Sequence, residues 1–301
     1  MARTGMADLH RHLDGSLRLA TVEQLAEELG LPVPSPLVFH VGMGLQEALA
    51  RFAFTLSLLQ DPTVVRRVAS EICEDAQSEG VSTLEIRFAP QLHHKAPMAA
   101  VVDAALEGIH GRAGLVLCAL YGEDPEVAKG LVEIAASREG VVGLDLAGAP
   151  LPQHRYRLGD YAPAFRAARE IGIGRTVHAG EGRAPEEILV AIEQLGAQRI
   201  GHGTTLLEAP RVVDSVLANH ITLEACITSN LQTGAIEAIH EHPLPQWLKL
   251  GISACVCTDN TLFSDVTAVT EHEVAQRIPG MTAELLDRAV ENGHRAAFAG
   301  R

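Results

Sequence analysis

Residues 174–202 read GRTVHAGEGRAPEEILVAIEQLGAQRIGH and contain the pattern that decides the fold. The short apolar run 174–179 predicts a buried strand, and the helical spacing of apolar residues over 184–196 predicts an amphipathic helix that ends at Gly196. A second short run, 199–202, predicts the next strand. Short apolar strands joined by helices are typical of a parallel sheet that is covered on both faces.

The same alternation continues over almost the whole chain. Strands are predicted at 6–10, 82–88, 114–120, 140–146, 174–179, 199–202, 221–226 and 252–257. Helices are predicted at 45–59, 61–80, 99–111, 161–172, 184–196, 209–220 and 282–299. Strands of this number over about 250 residues favour an α/β fold of the single (β/α)8 TIM-barrel type over a doubly wound sheet. No Gly-x-Gly-x-x-Gly follows the first strand, as a dinucleotide-binding sheet would require.

The long segment between the first two strands, residues 13 to 81, has room for more than one helix. We expect it to form a helical lid insertion over the carboxyl ends of the strands. The chain contains no Gly/Ser-rich linker, repeat or charge block. We therefore expect residues 1–301 to form one domain.

The composition excludes several classes of protein. A content of 47% hydrophobic and 21% charged residues is typical of a globular protein and excludes disorder. The formal net charge is -14, and no basic cluster is present, so neither nucleic acid nor an anionic membrane surface is an expected partner. No apolar stretch approaches the ~18 residues of a membrane helix, and no signal sequence is recognised at the N-terminus. Five widely spaced cysteines predict buried free thiols and a cytoplasmic protein.

Residues able to bind a metal lie where several predicted strands end. His10 and His12 alternate at the end of the first strand, so their imidazoles face the same side. His178 and His202 end the fifth and sixth strands, and Asp259 follows the eighth. Because active sites in this fold are built at the carboxyl ends of the strands, we expect these five side chains to converge.

Three imidazoles and a carboxylate suit Zn²⁺ and leave a position for water, whose pKa falls toward ~7. Glu181 follows His178 by three residues in a glycine-flanked turn and can donate a proton if its pKa is raised. The residues together predict hydrolytic attack on an electrophilic carbon.

Other polar residues are interpreted as structural. A second His-x-His, His240-Glu241-His242, precedes a proline in a helix–loop context. Glu85 and Arg87 alternate in the second strand and are expected to form hydrogen bonds in the barrel interior. His93 and His94 follow that strand and are not expected to bind the metal.

Six segments together resemble the adenosine deaminase family of metal-dependent amidohydrolases. They are LHRHLDGSLR (9–18), GLDLAGA (143–149), TVHAGE (176–181), RIGHGT (199–204), EACITSN (224–230) and TDN (258–260). They occur in the family's order and at roughly its spacing. Any single motif is a modest signal, but the combination is highly specific.

The resemblance implies catalytic roles for these residues. It implies one Zn²⁺ per chain, bound by His10, His12, His178 and Asp259. His202 and Asp259 would position a hydroxide for attack at C6 of a purine. Glu181 would donate a proton to N1, and ammonia would be lost.

The resemblance also implies substrate contacts. Gly148 matches the backbone donor to the purine N3, and Asp14 and Ser16 match positions that face the sugar. Adenine-specific relatives typically have Glu at the position of Asp14, so adenosine is favoured over free adenine.

Two positions depart from the family pattern. Asn260 stands where the family often has a second Asp that contacts N7, and an amide can donate to N7 without being protonated. In the predicted lid helix Phe52 is kept, but Ala48 stands where a Phe is usual. The smaller side chain and a short lid region leave room for larger or 5′-substituted nucleosides.

The predicted function is zinc-dependent hydrolytic deamination of adenosine and 2′-deoxyadenosine to inosine and 2′-deoxyinosine. The alternatives are the same reaction on adenine, or on a 5′-substituted or larger nucleoside such as an aminofutalosine-like compound. A catalytically silent nucleoside-binding barrel is a third possibility, against which Glu181 and the complete metal set argue. The ligand set admits other divalent ions, and nothing in the sequence decides the oligomeric state.

Overall fold

Eight parallel strands, consecutive in the chain and in space, form the sheet of a (β/α)8 barrel in the computed structural model of the protein. The structure describes residues 5–298, except for the side chains of residues 45 and 46. The strands are Met6–His12 (β1), Val81–Phe88 (β2), Gly114–Leu120 (β3), Val141–Ala147 (β4), Gly174–Ala179 (β5), Arg199–His202 (β6), Thr222–Ala225 (β7) and Ser253–Val256 (β8). The barrel predicted from the sequence is confirmed.

Helices alternate with these strands. Those before β5 are Leu19–Leu29 (α1), Leu45–Leu58 (α2), Pro62–Ser78 (α3), Met98–Ile109 (α4), Pro125–Ala136 (α5) and Ala162–Glu170 (α6). Those after it are Glu186–Glu193 (α7), Pro210–Ala218 (α8), Ile227–Gln232 (α9), Leu244–Lys249 (α10), Thr261–Ser264 (α11), Ala268–Gln276 (α12) and Ala283–Ala296 (α13). Three of them, α1 to α3, lie between β1 and β2. Among residues 5–298, no helix has the length and apolar content needed to cross a bilayer.

Local sequence explains where several helices begin. The carboxylate of Asp61 accepts a hydrogen bond from the N–H of Thr63 at 2.8 Å, and Pro62 is the first residue of α3. Asp124 caps α5 in the same way, again with a proline next. A capping carboxylate satisfies an otherwise free backbone N–H, and proline has none to satisfy.

The barrel closes between its first and last strands. The N–H of His12 donates to the carbonyl of Asp259 at 2.7 Å, and the N–H of Asp259 donates to the carbonyl of His10 at 2.8 Å. These two bonds, just past the end of β8, form the seam of the barrel. These backbone bonds also bring together His10, His12 and Asp259, three of the predicted metal ligands.

The interior of the barrel contains buried charges. Arg87 on β2 pairs with Asp145 and Glu224, and Arg199 on β6 pairs with Glu85 and Glu224. The expected interior hydrogen bonds of Glu85 and Arg87 are therefore confirmed. Opposite charges that share partners offset the cost of removing each of them from water.

The helix α5 is absent from the sequence-based prediction. Its buried residues Ala128, Leu131, Val132 and Ala135 follow helical spacing, so a signal was present, although Gly130 in its middle lowers the helical propensity. The burial of Leu131 and Ala135 against the barrel shows that tertiary packing stabilises this helix.

Candidate active site

Three imidazoles converge at the carboxyl ends of β1 and β5. Nε2 of His12 lies 3.2 Å from Nε2 of His10 and 3.3 Å from Nε2 of His178. Oδ1 of Asp259 lies 3.5 Å from the Nε2 atoms of both His10 and His12. The Nε2 atoms of His10, His12 and His178 therefore face one position, and Oδ1 of Asp259 lies beside the first two. His10 and Asp259 also form a second group of close donor atoms with His202 and Cys226.

The other ring nitrogens show that this donor set fits a divalent metal ion. Nδ1 of His10 lies 2.7 Å from Glu224, and Nδ1 of His178 lies 3.1 Å from Asp145. A neutral imidazole that donates from Nδ1 has a lone pair on Nε2, so lone pairs face one another in the cluster. Tetrahedral Zn²⁺ with Zn–N bonds of about 2.0–2.1 Å separates its ligand atoms by about 3.3 Å, which matches the spacing here.

Glu224 and Asp145 orient the ligand histidines and are the main residues that the sequence-based prediction missed. Burial alone raises the pKa of Asp145, but the nearby His178 and Arg87 hold that pKa well below its usual range. Both carboxylates therefore stay charged and accept the imidazole protons. The sequence does contain a signal for these two residues. Asp145 in LDL and Glu224 in LEA are single acidic residues inside apolar strands, and a buried carboxylate requires a polar partner.

Backbone geometry makes room for the cluster. A Cβ atom on Gly201 would lie 3.0 Å from Cε1 of His10, so the His10 ring can approach β6 only over a glycine. His202 and Asp259 adopt left-handed backbone conformations, with φ of 68° and 62°. Such conformations cost energy in residues other than glycine and are found where a side chain must be aimed.

A cavity opens beside the cluster. Its empty space amounts to about 410 Å³, part of which is open to solvent. It is lined by His12, Phe39, Ala48, Leu49, Phe52, Gly148, His178, Glu181, His202, Ser229, Thr233, Asp259 and Asn260. Most of the residues predicted from the sequence therefore face one space.

Glu181 and His202 face each other across this cavity. Oε2 of Glu181 lies 4.0 Å from Nε2 of His202. Thr233 donates its hydroxyl to the other oxygen, Oε1, at 3.0 Å. Burial raises the pKa of Glu181, although Arg183 at 3.6 Å opposes that rise. A buried acid whose pKa is raised is suited to proton donation.

The predicted substrate contacts are divided between two places. Gly148, Asn260 and Phe52 line the cavity, and Gly148 has φ of 81°, a conformation that favours glycine. Asp14 and Ser16 are buried but do not line it. The Ser16 hydroxyl accepts the N–H of Thr261 at 3.2 Å, whereas Oδ1 of Asp14 has no hydrogen-bond partner among the described residues.

Two aromatic side chains, Phe39 and Phe52, line the cavity and pack against Phe263 behind them. Phe52 on α2 packs edge-on against Phe263, with ring centroids 4.9 Å apart, and Phe39 stacks on Phe263 at 4.9 Å. Ala48, one turn before Phe52, is buried and contributes only a methyl group to the wall. The prediction did not include Phe39, because it lies in an irregular segment where no periodicity indicates its direction.

Comparison with known proteins shows which family the chain is similar to. The family model described as adenosine deaminase matches residues 6–301. The adenosine deaminase of Vibrio parahaemolyticus is 34% identical over 314 residues, covering 97% of this chain and 93% of that protein. The structure of the N6-mAMP deaminase of Arabidopsis superposes with a TM-score of 0.87 at 25% identity, over 99% of this chain and 94% of that one. An Arabidopsis structure in complex with IMP gives 0.87 at 25% identity, over 98% and 92%.

A barrel that gathers imidazoles and carboxylates at the carboxyl ends of its strands is the arrangement of an amidohydrolase. The chain belongs to the adenosine deaminase family. It is an adenosine deaminase-like aminohydrolase, and its relatives support purine deamination as its reaction.

Proposed function

We propose that the protein is a zinc-dependent enzyme that hydrolytically deaminates adenosine and 2′-deoxyadenosine, releasing ammonia. The convergence of three imidazole Nε2 atoms and Asp259 beside a cavity that also contains Glu181 and His202 carries the proposal. The resemblance found in the sequence assigns the same residues to the same reaction.

One Zn²⁺ per chain would be held by His10, His12, His178 and Asp259. When bound, it would lower the pKa of a water molecule in the cavity toward ~7. Glu224 and Asp145 would keep two of the imidazoles in the tautomer that presents a lone pair.

Two carboxylates divide the proton transfers because their environments differ. Burial alone raises the pKa of Asp259, but the surrounding imidazoles, first that of His10, hold that pKa well below its usual range. Asp259 is therefore the group able to accept a proton from the attacking water. Glu181, whose pKa is raised by burial, is the group able to protonate N1 of the purine.

The purine would be held by groups at the cavity wall. The backbone N–H of Gly148 would donate to N3, and the amide of Asn260 would donate to N7. Phe52 offers an aromatic face. Asp14 is buried and does not line the cavity, and its Oδ1, which has no partner among the described residues, would accept a ribose hydroxyl once a substrate exposes that atom to the cavity. Ser16 would support the same end of the nucleoside.

A second candidate keeps the reaction and enlarges the substrate to a 5′-substituted adenosine. Ala48 favours it, because a methyl group stands in the cavity wall where the family pattern has an aromatic ring. Two solved relatives also handle nucleotides, one acting on N6-mAMP and one binding IMP. Free adenine is less well supported, because Asp14 leaves space where adenine-specific relatives have Glu.

The proposal includes one catalytic domain over the whole chain, located in the cytoplasm, that acts on a small molecule. All five cysteines are buried and free, as expected from their spacing, which agrees with a reducing compartment. The thiols of Cys255 and Cys257, with Sγ atoms 3.7 Å apart, share a hydrogen bond and form no disulfide.

The decisive experiment measures ammonia release from a panel of adenosine, 2′-deoxyadenosine, 5′-substituted adenosines and adenine by zinc-loaded protein. We expect turnover of at least one nucleoside, and loss of turnover in Glu181→Gln with unchanged metal content. The control is Glu186→Gln, which alters an exposed residue paired with Arg211. Zinc-replete protein that deaminates no member of the panel would instead support a silent nucleoside-binding barrel.

A further inference from the structure

A chain of hydrogen bonds connects the backbone of Leu244 to the imidazole of His202. The N–H of Leu244 donates to Nδ1 of His242 at 3.2 Å. Nε2 of His242 lies 3.3 Å from Oδ1 of Asn230, and Nδ2 of Asn230 lies 2.9 Å from Nδ1 of His202. All four residues are buried, so water does not compete for these groups.

The backbone N–H sets the direction of every bond in this chain. Because the N–H of Leu244 can only donate, Nδ1 of His242 must be the unprotonated nitrogen. Burial lowers the pKa of His242 to about 3, so the ring is neutral and its single proton lies on Nε2. That proton is donated to Oδ1 of Asn230, which leaves the NH₂ group of Asn230 facing His202.

The opposite orientation of the Asn230 amide is excluded. It would require Nε2 of His242 to accept a hydrogen bond, which places the ring proton on Nδ1. Nδ1 and the N–H of Leu244 would then be two donors facing each other.

We infer that His242 and Asn230 are positioning residues that keep the proton of His202 on Nε2, the nitrogen facing Glu181 and the cavity. Nδ1 of His202 accepts from Asn230, so Nε2 carries the N–H. In the proposed reaction, on which this inference rests, His202 then acts as a hydrogen-bond donor to the attacking oxygen and does not remove its proton.

The same tautomer separates His202 from the ligand histidines. Its ring centroid lies 5.1 Å from those of His10 and His178, close enough for all three to share a metal. An Nε2 atom that bears a proton has no lone pair for the ion. With the His242–Asn230 pair in place, three of the four clustered imidazoles would be able to bind the metal, and the fourth would remain free for the substrate.

Histidine-selective ¹⁵N NMR of the metal-free and zinc-loaded protein tests this inference, because protonated and unprotonated ring nitrogens have different shifts. The His202 signals are assigned by their loss in His202→Gln. In Asn230→Asp the carboxylate can only accept, so we expect the proton to move to Nδ1. In His242→Phe the ring volume next to Trp247 is kept but the donor is lost, so we expect a mixture of tautomers. His240→Phe, the same change at an exposed position two residues earlier, is the matched control; it removes the signals of His240 itself and should leave those of His202 unchanged.

Kinetics of the zinc-loaded variants supply a second readout. Neither Asn230 nor His242 lines the cavity, so we expect kcat to fall by about 10–100-fold with little change in KM. A wild-type spectrum with the proton on Nδ1, or an unchanged tautomer in Asn230→Asp, overturns the inference. If Asn230→Asp does not fold, the spectra of the wild type and of His242→Phe still show which ring nitrogen of His202 carries the proton. Deamination without the predicted tautomer refutes this inference alone, and the predicted tautomer without deamination refutes only the proposed function.

Discussion

Glu271 on α12 is a buried carboxyl group that makes the stability of the fold depend on pH. Its side chain is 1% exposed. Its oxygens accept the N–H of Thr228 at 2.9 Å and lie 2.5 Å from the Thr228 hydroxyl, which ties α12 to α9. Burial raises the pKa of Glu271 from 4.5 to about 7, although these hydrogen bonds oppose the rise.

A carboxyl group whose pKa is raised by folding binds its proton more tightly in the folded state. The stability that it contributes is fully present below pH 4.5 and is lost as the pH rises to about 7. At about 1.4 kcal/mol per pKa unit, the free energy of unfolding should decrease by about 3 kcal/mol over this range because of Glu271 alone.

Glu271→Gln mimics the protonated acid, since its NH₂ group can donate to the Thr228 hydroxyl and its oxygen can accept the backbone N–H. We expect the variant to match the wild type near pH 4.5 and to be about 3 kcal/mol more stable at pH 8. Denaturant unfolding can be followed through Trp247, which is the single tryptophan and is fully buried. Glu273→Gln, on the exposed side of the same helix, is the control.

The relevant quantity is the difference between variant and wild type, because other groups titrate equally in both proteins. A difference that is the same at pH 4.5 and pH 8 would refute the assignment of this pH dependence to Glu271. A difference of similar size in Glu273→Gln would refute its link to burial.

Three further substitutions test the site. Glu224→Gln should weaken metal affinity by about 10–100-fold, because it disturbs the contact between Glu224 and Nδ1 of His10. The affinity can be measured by competition with a chelator, and an unchanged affinity would contradict this role of Glu224. Gly201→Ala should lower both metal affinity and thermal stability, because the added methyl group would meet the ring of His10. Ala48→Phe should reduce kcat/KM for 5′-substituted adenosines more than for adenosine, and an equal reduction for both would show that this wall does not select by size.

The barrel and the metal cluster follow from the sequence because both rest on simple geometry. His178 and His202 end short apolar strands, and strand ends of a parallel barrel meet at one rim. The alternation of His10 and His12 needs only the two-residue period of a strand.

The partners of these residues are harder to predict, because they lie far apart in the chain. Glu224 contacts His10 across the barrel, and Asn230 contacts His242 through the packing of α9 against the following loop. No local sequence pattern predicts such contacts between residues that are distant in the chain. An acidic residue in a predicted buried strand indicates that a hydrogen-bonding or charged partner exists. Which residue is the partner depends on the register of the strands.

The seam of the barrel has a consequence for synthesis of the protein. His10 and His12 precede Asp259 by more than 240 residues in the chain, so the predicted ligand set is incomplete until the segment after β8 has been synthesised. A nascent barrel without β8 lacks both the closing backbone bonds and the carboxylate that balances the imidazoles. Binding of a metal ion by this set of residues would therefore be coupled to closure of the barrel as a late step, and a chain interrupted before β8 would lack the complete site.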